Sequence, residues 1–204
     1  MRSLRAAIWF AAFVLWPGII IGPFQAGADE PETGGDRDSV AWVAEPDGYR
    51  MEQYRAPVPD SLSGGTVVSA EEVKSLMDRG GLVLIDVLPR PPKPKVLPEG
   101  TIWQPRPRHN IPGSVWLPNT GFGALAADTE SYFRDNLERL TQGDKGRRLL
   151  FYCLADCWMS WNAAKRAISY GYSRVHWFPE GTDAWIAAGY PTEKSEPEPA
   201  WAPE

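Results

Sequence analysis

Apolar residues run almost without interruption from Leu82 to Leu88, and a run of that kind without alternation predicts a strand covered on both faces. Runs of the same type recur at 114–117, at 148–152 and at 174–178. Between them the apolar positions take a helical period, at about 129–141 and 160–171, with one more helix at about 182–188. Ahead of the first long strand, Ser69 and Glu72 have the spacing of a capping box. Val73, Leu76 and Met77 supply the apolar stripe of a helix that ends at Gly80-Gly81. Strands alternating with helices predict an α/β fold: a single domain over 66–192 with a largely parallel central sheet flanked by helices. Ligands of such folds gather at the carboxyl ends of the strands.

The segments that break this pattern are as informative. Arg2 and Arg5 precede a largely apolar stretch from Ala6 to about Gly22, and Ala26-Gly27-Ala28 supplies small residues. This reads as an export signal over 1–28, cut after Ala28. Pro17 and Gly18 interrupt a run that is already short for a membrane anchor, so no stable membrane insertion is expected after cleavage, and a periplasmic location is. Residues 29–65, rich in Asp, Glu, Pro and Gly, read as a leader that begins disordered and then packs on the domain through Trp42, Tyr49 and Tyr54. Seven prolines in 89–107 forbid a helix or a central strand. The insertion 89–108, with Arg90 and Lys93 near its start, is therefore an extended basic arm that leaves the sheet at its ligand-binding end. Residues 193–204 read as a solvated acidic tail.

Charge narrows the partners. Removing residues 1–28 takes away two arginines and no acid, so the 21 basic and 26 acidic residues become 19 and 26, a net charge of −7. So acidic a chain is poorly matched to nucleic acid or to an anionic membrane surface.

The chain has two cysteines, Cys153 and Cys157, placed where the strand ending at Tyr152 turns into the next helix. Closing so short a loop with a disulfide removes little unfolded-state entropy, about 2 kcal/mol in the chain-entropy model, so stapling is a weak explanation for the pair. Free amides and the dipole at a helix start favour an anion, and a thiolate is one. Cys153 is the expected nucleophile and Cys157 the thiol that resolves a mixed disulfide or persulfide. Asp156 places a negative charge beside them and limits the depression of the pKa. Trp158, Met159 and Ser160 complete the loop and first helical turn, and Asp86 at its strand end is a candidate for orienting it. Trp177 and Trp185 are expected in the core; Trp158 and Trp161 either shield the sulfurs or present flat apolar faces to a quinone ring or a partner. His109 and His176 read as structural. The alternative is a binding module in which the sulfurs, with Met159 and a histidine, hold copper(I) or contact a redox cofactor. A c-type haem is excluded, since no histidine follows Cys157.

Five separated signatures arrive in one order: Leu84-Ile85-Asp86-Val87; His109-Asn110-Ile111-Pro112-Gly113-Ser114; Tyr152-Cys153; Gly171-Tyr172; and Glu180-Gly181-Thr182-Asp183-Ala184-Trp185 with Gly189-Tyr190-Pro191. Together they resemble the rhodanese-like domain over about 66–192. That resemblance implies a cysteine, here Cys153, that takes a sulfane sulfur as a persulfide within a loop of backbone amides. The glycine and arginine that usually follow it are missing, which argues against ordinary thiosulfate:cyanide sulfurtransfer and leaves Arg90 or Lys93 to supply a cation. The run from Cys153 to Arg166 also resembles the exported CXXCW-motif proteins of PQQ-dependent catabolism, although three residues rather than two separate the cysteines. The latter resemblance implies a periplasmic accessory role beside a PQQ-dependent dehydrogenase, a cytochrome or transport components, and possible binding of a redox cofactor.

Overall fold

In the computed structural model, which describes residues 43–198, the long apolar runs form the sheet. Five parallel strands lie in the order β1 (Thr66–Val67), β6 (Val175–Phe178), β5 (Arg148–Tyr152), β2 (Leu82–Asp86) and β4 (Val115–Trp116). The pairing of β2 with β5 runs from Leu82 with Arg148 to Asp86 with Tyr152. Consequently Asp86 and the residue after Tyr152, Cys153, emerge side by side at the carboxyl edge. The export signal, the first part of the leader and residues 199–204 lie outside the described residues. Among those described, no helix is long and apolar enough to cross a membrane.

Alternation along β5 divides the core. Leu149, Phe151 and Cys153 face α2 (Ala127–Thr141) and α3 (Trp158–Ser169), whereas Leu150 and Tyr152 face α1 (Ala70–Asp78) and α4 (Gly181–Ala187). This is the period-2 consequence of the pleat, and it puts Cys153 on the same side as the helix that carries Cys157. The capping box is present at α1: Ser69 Oγ accepts from Glu72 N–H, and the Glu72 carboxylate accepts from Ser69 N–H.

Helix α3 is buried almost all round, a pattern that requires cover on both sides. The sheet supplies one, packing on Ala163, Ala164 and Ala167. The leader supplies the other: Asn162 exchanges hydrogen bonds with the Arg50 backbone, and Lys165 donates to the carbonyls of Pro46 and Asp47.

One feature departs from the sequence reading. Residues 193–198 are not a solvated tail. Glu193–Ser195 form β7, antiparallel to β3 (Arg108–Asn110), Glu198 N–H bonds the Trp116 carbonyl, and the Glu198 carboxylate pairs with Arg139 at 2.5 Å. Ladder hydrogen bonds hold this segment despite its acidic, apolar-poor composition. Of the two readings open for Trp158 and Trp161, exposed apolar faces are excluded: both are buried, their indole N–H groups donating to the carbonyls of Pro57 and Ser61. They join the leader to the core, and Trp177 and Trp185 are buried in the core as expected.

Candidate functional site

The turn from β5 into α3 is short, and its backbone is fixed from three sides. Asp156 adopts a left-handed conformation (φ 50°), which a short polar side chain tolerates better than most; its own side chain points to solvent. From one side the leader runs antiparallel to the loop. Ala56 N–H bonds the Asp156 carbonyl (3.2 Å), Trp158 N–H bonds the Tyr54 carbonyl (2.9 Å), and Arg55 bridges to Cys157. From the other, Leu154 bridges to Gly181, and Thr182 gives both its N–H (3.1 Å) and its hydroxyl (3.3 Å) to the Cys153 carbonyl. Gly181 has φ 54°, and a Cβ there would lie 2.4 Å from that carbonyl oxygen, so only glycine permits this approach. From beneath, Ser160 donates to the Cys157 carbonyl (3.0 Å) and accepts from the Trp177 indole (2.9 Å).

Both cysteines are free thiols and both are buried, but their electrostatic surroundings differ. Burial pushes the Cys153 thiol well above its ordinary range, and the neighbouring Cys157 sulfur and the Asp86 carboxylate push it further. Cys157 occupies the N-cap position of α3 without a conventional side-chain cap bond. Its pKa is lowered to about 7, chiefly by the Cys153 thiol hydrogen-bonding to it. The amides of Met159 and Leu154 and the charge of Arg55 assist, against the cost of burial. Of the two adjacent thiols, Cys157 is therefore the more acidic. The direction runs against the expected order, in which Cys153 ionises first: the amides of Met159 and Leu154 and the charge of Arg55 favour residue 157, while burial and Asp86 disfavour residue 153.

Asp86 is fully buried and paired with Arg108 (Nε to Oδ2, 2.5 Å), and it accepts a second bond from Leu88 N–H (2.9 Å). Burial raises its pKa, with Arg108 opposing. The Arg108 guanidinium also reaches the Thr182 hydroxyl, at 3.4 and 3.5 Å. A polar chain therefore runs from Asp86 through Arg108 and Thr182 to the carbonyl of Cys153, and Asp86 orients the sulfur loop indirectly.

The candidate cations lie in different places. Arg55, in the leader, acts on the sulfurs. Arg90 instead lines a half-enclosed cavity between the proline arm, Trp116 and Leu154, and Lys93 is exposed and outside it. Neither Arg55 nor Arg108 carried a recognisable signal, since each acts across a contact between segments far apart in sequence.

The histidines stand apart from the sulfurs in the sequence of elements: His109 is exposed on β3, opposite Lys194. On β6, the His176 imidazole is kept neutral by burial and by Arg174, Arg148 and Arg79. Among the described residues, no group of three or more His, Cys, Asp or Glu comes together to hold a metal ion.

A five-stranded parallel sheet with a cysteine loop at its carboxyl edge defines the class, and comparison gives the family. A model of the rhodanese-like domain matches residues 69–188, more than half of the chain, and the protein belongs to that family. Among solved structures, the chain is similar to a thiosulfate sulfurtransferase from Pseudomonas aeruginosa. There the identity is 19% and the TM-score 0.46, over 66% of this chain and 21% of that one, so this chain spans about a fifth of that protein. It is also similar to a polysulfide-sulfur transferase homodimer from Wolinella succinogenes, at 15% identity and a TM-score of 0.40 over 64% and 80% of the two chains. No curated protein matches.

Proposed function

We propose that this rhodanese-like protein is an exported accessory protein of PQQ-dependent alcohol catabolism, acting by thiol redox chemistry at Cys153 and Cys157. The observation that carries the chemistry is the pair itself: two free, buried thiols in the one loop at the carboxyl edge of the sheet, each shifting the other's pKa, with that of Cys157 lowered to about 7. Export and the link to quinoprotein oxidation are supported by the arginine-led apolar N-terminus and by the likeness of the 153–166 run to the CXXCW-motif proteins. A PQQ-dependent dehydrogenase, or a cytochrome serving it, is the partner this reading names.

The reaction begins at Cys157. Its thiolate attacks one sulfur of a donor disulfide; the donor S–S bond breaks, one donor thiolate leaves with the electron pair, and Cys157 is left in a mixed disulfide. The Cys153 proton passes to the departing thiolate. The Cys153 thiolate then attacks Cys157 Sγ, expels the second donor group as a thiolate and closes the Cys153–Cys157 disulfide, so the protein loses two electrons and one proton, the donor gains them, and the second donor thiolate takes its proton from solvent. A persulfide donor enters by the same attack and leaves hydrosulfide in the second step. Both sulfurs are buried, so access requires the strap Tyr54–Pro57 to lift from the loop.

Intact-mass measurement on protein taken from the periplasm without reductant, for the wild type and for Cys153→Ser and Cys157→Ser, tests this. The expected wild-type result is a population lighter by two hydrogens that neither variant shows. An added sulfur atom retained on one cysteine would move the protein to sulfur-carrier chemistry. A retained copper ion or organic cofactor would make it a binding module. An unmodified dithiol that stays reduced under a disulfide donor such as oxidised glutathione would overturn the redox reading.

A further inference from the structure

The cavity beneath the proline arm has a volume of about 520 Å³, within the range of roughly 300–1,000 Å³ usual for small-molecule sites. Its walls are proline faces, Trp103, Trp116 and Leu154, and its cations are Arg90, Arg106 and Arg108. Arg108 is neutralised by Asp86. Arg90 and Arg106 are in no ion pair among the described residues and no acid lines this cavity; Glu196, which shares an adjoining pocket with both, is paired with Lys194. Two guanidiniums outside any ion pair over an apolar floor are notable on a chain whose net charge is −5.

The wall carrying Arg90 is fixed before any ligand arrives. Its backbone N–H bonds the Asn119 side chain (3.0 Å), the Trp116 indole bonds the Leu88 carbonyl (2.8 Å), and the Arg90 guanidinium lies 6.0 Å from the centre of the Trp116 ring. Prolines restrict the arm's backbone further, so little conformational freedom remains to be lost on binding.

We propose that this cavity is a binding site for a small organic carboxylate with a flat aromatic body, the ring lying against the tryptophan and proline faces and the carboxylates meeting Arg90 and Arg106. Arginine suits both tasks, since its planar fork pairs with carboxylates and stacks on rings. An inorganic anion would leave the apolar walls unused, and a neutral aromatic would leave the two charges unanswered. Leu154 belongs both to this wall and to the sulfur loop, so a bound molecule touches the residue next to Cys153. The inference does not depend on the thiol chemistry, because binding is read without any redox step.

The test is isothermal titration of the full mature chain with naphthalene-2,6-dicarboxylate, its dimethyl ester and sodium sulfate, at low and high salt. The dicarboxylate is expected to bind the wild type and to weaken by about tenfold in Arg90→Gln and again in Arg106→Gln. Arg79→Gln, which removes a distant surface charge, is expected to leave Kd unchanged, and near-ultraviolet circular dichroism checks that each variant keeps its packing. Absence of wild-type binding, equal binding of the ester, binding of sulfate as tight as that of the dicarboxylate, or affinity indifferent to both arginine variants would each overturn the proposal.

Discussion

In a Cys153→Ala variant, the remaining thiol at Cys157 titrates at least about one unit above the wild-type value, whereas in Cys153→Ser it stays close to it. The Cys153 thiol is the largest influence lowering the Cys157 pKa to about 7. Alanine deletes that donor and leaves burial opposed only by the amides of Met159 and Leu154 and by Arg55. A hydrogen bond to a charged group contributes about 1.5–3 kcal/mol, and one pKa unit corresponds to about 1.4 kcal/mol, so one to two units is the expected rise. Serine restores an O–H donor of similar reach. Each variant has a single thiol, so thiolate absorbance in the ultraviolet follows the titration cleanly. Equal behaviour of the two variants would mean that the helix start alone sets the acidity.

Arg108→Met lowers stability by about 3–5 kcal/mol at neutral pH, the usual cost of leaving one member of a buried ion pair alone. Asp86 is fully buried, and Arg108 is the cation it pairs with among the described residues. The loss depends on pH with a definite sign. The folded-state pKa of Asp86 is raised by burial above the unfolded carboxylate value of about 3.9. Between those two values the native state holds more protons than the unfolded one, and stability falls as pH rises. Removing Arg108 takes away the influence that opposed the rise, so in the variant this window extends to higher pH and acidification recovers part of the lost stability. Adding Asp86→Asn to the variant removes both the charge and the pH dependence. Urea unfolding at several pH values measures all three proteins. A loss below about 1 kcal/mol, or one independent of pH, would show that the pair does not anchor the sheet edge.

Much of the fold is legible in the sequence because parallel strands covered on both faces announce themselves as unbroken apolar runs. The strand expected at 148–152 occupies Arg148–Tyr152, and the capping box at Ser69 and Glu72 is formed as spaced. The ribbon of β3 and β7 was not legible. Arg-His-Asn and Glu-Lys-Ser carry no apolar alternation, and what joins them is a ladder between segments more than eighty residues apart. At the site, the spacing of Cys153 and Cys157 put both sulfurs in one loop but did not show which is the more acidic. Which sulfur carries the anion depends on where amides and cations point, and that is set by the left-handed turn at Asp156 and by the leader contact that brings Arg55 to Cys157. The choice between the two readings of Trp158 and Trp161 was not legible for a related reason: it depends on an extended, non-periodic segment that lies across them.

The most direct test of the thiolate assignment is the pH titration of the ¹³Cβ resonances of both cysteines in the reduced wild-type protein, a reading that needs no reagent to reach the buried sulfurs. Cys157 is expected to ionise near pH 7 while Cys153 stays protonated well into the alkaline range. Ionisation of Cys153 first, or of neither thiol below the free-cysteine value of about 8.5, would contradict the account.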